Sequence, residues 1–153
     1  MTAEFYQKTT EELFNEIKQA DNMEEYMTAN NDDLWDPSLA EYFNLLIDKY
    51  QIKKSEIFKK AGLVGNNYGY EIFRDDRKKP SRDILIQISL AFPLDIDETQ
   101  QVLRRAGKAI LYPRDKRDAY ILFALKKGMS IDELNVKLME NELNILGAET
   151  KKV

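Results

Sequence analysis

Apolar positions recur at spacings of three and four along most of this chain, and polar residues cut the pattern into helical segments. Thr9 and Glu12 stand at the spacing of a capping box, with Leu13, Phe14 and Ile17 following on one face. A polar stretch, MTANNDD, leads to Asp36 as an N-cap and Pro37 at the first helical position. Leu39, Phe43, Leu46, Ile47 and Tyr50 then mark an amphipathic helix. Ile57, Phe58 and Ala61 mark a short helix ended by Gly62, and Asn66 or Asn67 caps the next, with Tyr70 and Phe73 inward. Ser81 opens a helix with Ile84, Leu85, Ile88 and Ala91 on its core face, and Pro93 ends it. Asp95 with Glu98 starts another, placing Val102, Leu103 and Ala106 inward before Gly107. Beyond the charged connector LYPRDKRD, RDAYILFALKK is closed by Gly128 as a C-cap, and Ser130 with Glu133 boxes the start of IDELNVKLMENELNIL. Alternation of period two is absent and no internal repeat stands out. The pattern predicts an all-α protein of seven or eight helices.

Composition narrows what such a fold does. At 153 residues and 43% hydrophobic, the chain has enough material for a core, in one domain or one domain with an appendage. No apolar run approaches the roughly 20 residues of a membrane span, and the acidic, polar start MTAEFYQKTTEEL does not read as a secretory signal. A bacterial-type cytoplasmic protein, with no membrane partner, is expected. With no cysteine, disulfides, thiolate metal sites and cysteine nucleophiles are excluded. With no histidine, so are Ser-His catalysis and His-ligated metals. An enzyme would have to work with carboxylates, lysines or tyrosines alone. A binding protein without catalytic residues, metal or cofactor is the expectation.

Charge is divided along the chain. Residues 1–50 hold twelve Asp/Glu and three Lys, whereas residues 51–82 hold nine Lys/Arg and four Asp/Glu, in a chain of net charge −4. The basic segment, QIKKSEIFKKAGLVGNNYGYEIFRDDRKKPSR, reads as two short helices joined by a glycine-containing turn and followed by a basic loop closed at Pro80-Ser81. Such an element suits a polyanion.

The order EYFNLLIDKY, KKSEIFKKAGL, NNYGYEIF, RDDRKKPSRDILIQISLAF resembles the lambda-repressor-like, Xre-type helix-turn-helix family over about Leu39 to Gly107. Lys79-Pro80-Ser81 before an apolar helix is the most specific piece. The run from Glu98 to Gly147 resembles an extension found on some bacterial regulators of this kind. The resemblance implies a five-helix core at residues 37–110, preceded by an acidic helical arm at 1–36 and followed by a helical extension at 111–153. It implies a transcriptional regulator that binds double-stranded DNA in the major groove. Asn66, Asn67, Tyr68 and Glu71 are then expected at base edges, since Asn can pair with adenine and Glu can accept from cytosine. Lys53, Lys54, Arg74, Arg77, Lys78, Lys79 and Arg82 are expected at phosphates. By its apolar slot Tyr70 is expected in the core and Tyr68 at the surface.

Three departures stand against the pattern. The turn after Gly62 is longer by about two residues, through Leu63, Val64 and Gly65. Gly69 lies inside the expected recognition helix, where glycine costs roughly 1 kcal/mol relative to alanine. Asp76, beside Asp75, stands where a glycine is usual, and two carboxylates near phosphates are unfavourable unless they turn away or pair with Arg74 and Arg77. The alternative is a protein-interaction module that keeps the fold without DNA. The acidic arm reads either as a solvated face or as a regulator of the basic segment, with Trp35 anchoring it on the helix that follows. The C-terminal helix pair either completes the core or forms a homodimer interface.

Overall fold

The computed structural model describes residues 5–63 and 67–147, and the chain divides into two compact units after Pro37. Among the described residues there are nine α-helices, one short 3-10 helix and no strand.

In the first unit, α1 (Thr10–Gln19) starts at the Thr9–Glu12 capping box. A second helix, α2 (Met23–Ala29), is capped by the Asn22 side chain and takes in the first residues of the polar stretch MTANNDD. A 3-10 turn follows at Asn31–Asp33. No residue of α1 or α2 is buried, and Phe14 and Ile17, which share one face of α1, are exposed. The unit is organised instead by polar groups. Asp33 accepts from the Gln7 and Lys8 backbone N–H groups at 2.7 and 3.1 Å. The Lys8 ammonium donates to Glu16 at 2.6 Å and to the Asn30 amide oxygen at 2.7 Å. Asn30 returns a donor to Glu16 at 2.9 Å. Trp35, expected to anchor the arm on the next helix, has its ring beside Tyr6 of the arm itself, with centroids 5.3 Å apart.

The second unit opens with α3 (Leu39–Tyr50). Its N-cap is Ser38, which forms a reciprocal box with Glu41. This corrects the expected start at Asp36-Pro37: the Ser38–Glu41 box satisfies two backbone donors at once, and Pro37 precedes the cap. Then come α4 (Lys54–Ala61), α5 (Tyr68–Arg74), α6 (Arg82–Ala91), α7 (Ile96–Arg105), α8 (Lys116–Lys127) and α9 (Ile131–Glu140). Gly62 and Gly128 end α4 and α8 in the left-handed region, at φ 79° and 70°, a conformation that costs glycine little.

The centre of this unit is α6, buried at every position from Ile84 to Ala91. It packs against α4, α7 and α9, while α3 packs against α5 and α7. Phe43 of α3 stacks on Phe73 of α5 at 4.3 Å, and both lie near Phe92 at 6.4 and 6.2 Å. Phe58 of α4 meets Phe73 edge-on at 5.2 Å. Aromatic pairs of this kind add about 0.5–1.5 kcal/mol each beyond their buried area. Glu98, 3% exposed, accepts from the Lys49 ammonium at 2.5 Å and from the Asp95 backbone N–H at 3.0 Å. It also accepts from the Tyr50 hydroxyl. Burial, with the carboxylate of Glu98 beside it, pushes that hydroxyl up to about 12.

The helices α8 and α9 belong to this same unit and pack on each other, with α8 against α7 and α9 against α6. Ile121, Ala124, Leu125, Leu134 and Leu138 are buried there, whereas Phe123, Val136 and Met139 remain exposed. Two side-chain amides pin the connecting chain by paired hydrogen bonds. Gln100 holds the backbone of Leu111 at 2.9 and 2.7 Å, and Asn135 holds that of Leu146 at 2.9 and 2.8 Å.

Candidate nucleic-acid interface

The orientation of α5 is set by Gly69. A methyl group there would lie 2.6 Å from Cδ1 of the buried Phe58 ring, closer than carbon atoms approach. Only a residue without a side chain lets α5 settle onto α4. The glycine that looked like a defect in a recognition helix is therefore the contact that allows the two helices to meet.

With Gly69, Ile72 and Phe73 turned inward, the opposite side of α5 faces solvent. Asn67, Tyr70 and Arg74 are exposed and Glu71 is half-buried, a stripe at helical neighbour spacing. Tyr70, expected in the core, is 41% exposed. Its ring lies edge-on against Phe58 at 4.7 Å. Tyr68, expected at the surface, is half-buried. The exchange follows from the close approach at Gly69, which fixes the inward positions and turns residue 70 out. Asn67 sits at the N-cap position without a side-chain capping bond, and its amide is at the surface. Asn66, like Val64 and Gly65 of the lengthened turn, lies outside the described residues.

The cations expected at phosphates divide into two groups. Lys53, Arg74 and Lys79 are exposed and Lys54 is half-buried. The other three have carboxylate partners. Lys78 pairs with Glu71 at 3.3 Å. Arg77, whose side chain is 91% exposed, grips Asp75 through Nε and Nη2 at 3.0 and 3.1 Å. These hydrogen bonds hold the Asp75 carboxyl below its ordinary pKa. Arg82 forks onto both oxygens of Asp118 at 3.0 and 2.9 Å and also donates to the Ala109 and Ile110 carbonyls.

The two aspartates that looked unfavourable beside phosphates are each engaged in the fold. Asp75 accepts from Arg77. Asp76 accepts from the Ala40 N–H at 3.0 Å, one of the donors left open in the first turn of α3. Asn44 links α3 to the end of α5 by donating to the Phe73 carbonyl at 2.9 Å.

The Arg82–Asp118 pair has a reciprocal. The neighbouring Asp83 receives both donors of Arg117 at 3.0 and 2.9 Å, and Arg117 also reaches the Asn144 carbonyl at 2.8 Å. Adjacent residues at the start of α6 thus cross over to adjacent residues of α8, forming a four-residue clasp. Burial opposes the Asp118 charge, but Arg82 and the Tyr112 N–H outweigh it and hold its pKa low.

Elsewhere, a groove of about 880 Å³ runs between α4, α6 and the α8–α9 turn, with Leu90, Met129 and Ile131 on its wall and Lys59, Lys60, Asp132 and Glu133 at its rim. Its rim mixes both signs of charge. Among the described residues no group of carboxylates could hold a metal ion, and no helix is long and apolar enough to cross a membrane.

The geometry on α5 is thus a short helix with a polar outer stripe, followed by a loop at 75–81 that carries Arg77, Lys78 and Lys79. Compared with protein-family models, with curated proteins and with solved structures, the chain finds no match.

Proposed function

We propose that this chain is a double-stranded DNA-binding protein of lambda-repressor-like, Xre-type organisation that regulates transcription, with α5 entering the major groove. The observation that carries the reading is the outward stripe of α5, Asn67, Tyr70, Glu71 and Arg74, held by packing of its other side at Gly69, Ile72 and Phe73. A helix fixed on one side and polar on the other suits base-edge readout, because hydrogen-bond discrimination needs donors and acceptors that do not move. Asn67 offers both an amide donor and an acceptor, and Arg74 suits guanine or a phosphate. Lys53, Lys54 and Lys79 supply the surrounding phosphate contacts, and Arg82 acts through the clasp by placing the loop that carries Lys79.

The alternative, a protein-interaction module without DNA binding, is favoured by one observation: three of the seven expected phosphate cations, Lys78, Arg77 and Arg82, are neutralised by carboxylates. A mobility-shift assay of the full chain on random-sequence duplex separates the two. Retardation at low salt that weakens at physiological salt is the expected result. No retardation at any salt would sink the DNA reading and leave the interaction module.

A further inference from the structure

The last two helices carry charge and apolar surface in complementary patterns. On α8, Lys116, Tyr120, Phe123 and Lys127 follow one another at spacings of four, three and four, and so share one face. Lys116, Phe123 and Lys127 are exposed and Tyr120 is half-buried. The Lys126 and Lys127 ammonium groups lie 5.7 and 5.9 Å from the centre of the Phe123 ring, which sets cations directly beside the aromatic surface. On α9, Asp132, Val136, Met139 and Glu140 line one face at the same kind of spacing, and all four are exposed. Glu140 meets Lys137 at 3.8 Å in an exposed pair, a contact worth little and readily exchanged. Both stripes have charge at each end and apolar residues between, basic on α8 and acidic on α9. At 1.5 Å per residue their charged ends stand about 16 Å apart on α8 and about 12 Å apart on α9, a difference that long lysine side chains absorb. Phe123, Val136 and Met139 are 57%, 54% and 65% exposed. The two helices lie in one compact unit and already pack on each other, so each stripe is left for another molecule. Like stripes would bring like charges together, whereas the α8 stripe and the α9 stripe complement each other.

We propose that two copies of this chain associate reciprocally, the α8 stripe of each lying on the α9 stripe of the other. Tyr120 and Phe123 then meet Val136 and Met139, while Lys116, Lys126 and Lys127 meet Asp132 and Glu140. A two-fold interface of this kind uses each stripe once per copy and closes at the dimer. It does not rest on the DNA reading and stands or falls without it.

Charge reversal in the full chain tests the pairing. Lys116→Glu/Lys127→Glu makes both stripes acidic, and Asp132→Lys/Glu140→Lys makes both basic. Sedimentation, with helicity checked by circular dichroism, is expected to show a dimeric parent and two monomeric variants. Mixing the two variants restores a dimer, because each α8 stripe again faces an α9 stripe of opposite charge. A third variant, Phe123→Ser/Met139→Ser, removes the apolar centre of both stripes at exposed positions and is expected to be monomeric. A parent that stays monomeric at high protein concentration overturns the proposal. So does a reversal variant that associates as the parent does, since pairing of α8 with α8, or of α9 with α9, would leave one of the two unaffected. Failure of the mixture to associate, or a serine variant as dimeric as the parent, overturns it as well.

Discussion

Gly69 shows what a single residue decides in this molecule. Alanine is the better helix former by about 1 kcal/mol, yet its methyl would enter the Phe58 ring, which is buried and has nowhere to go. Overpacking of that kind costs about 1–3 kcal/mol. Gly69→Ala is therefore expected to lower the denaturant midpoint; a raised midpoint would mean that helix propensity, not the contact with Phe58, governs this position. From the sequence Gly69 registers only as a propensity penalty, because nothing local announces which side chain lies across from it. The Tyr68–Tyr70 exchange has the same origin. In a helix of seven residues, period alone defines the inward side poorly, and the contact with α4 settles it.

Among the elements, those with reciprocal local signals are the ones legible in the chain. The boxes Thr9–Glu12, Asp95–Glu98 and Ser130–Glu133 form as spaced, and Ser81 caps α6. At the start of α3, Asp36-Pro37 competes with Ser38–Glu41 on the same few residues, and the box with two bonds prevails. Ser38→Ala is expected to cost about 1 kcal/mol in thermal unfolding, and an unchanged midpoint would mean that the box with Glu41 does not hold the start of α3. The clasp was not legible at all, since Arg82 and Asp118 are 36 residues apart. Asp118→Asn leaves a half-buried guanidinium short of its counter-charge, and about 3 kcal/mol of stability is expected to go at neutral pH. The pH dependence has a definite sign. The folded-state pKa of Asp118 lies below its ordinary value, so its stabilising contribution is complete above about pH 3.9 and drains as pH falls through the lower folded value. Parent and Asp118→Asn are thus expected to converge in stability on acidification; a gap that persists unchanged at the acid end would remove the carboxylate from the account.

For the whole molecule, the division of charge and the helical class could be read directly, because both are sums over many residues and no single contact decides them. The exposure of Phe14 and Ile17 could not, since an apolar face on α1 looks the same in sequence whether or not the fold covers it. The central claim is that α5 and the cations around it hold DNA, and the salt dependence of binding tests it most directly. Each phosphate neutralised contributes about 0.9 to the slope of log K against log salt. Titrating a fluorescent random duplex with the parent chain and with Arg74→Ala/Lys79→Ala, across salt concentrations, is expected to give weaker binding and a slope shallower by about two for the variant. Equal affinity and an equal slope would contradict the account, because the chain would then hold DNA by some other surface.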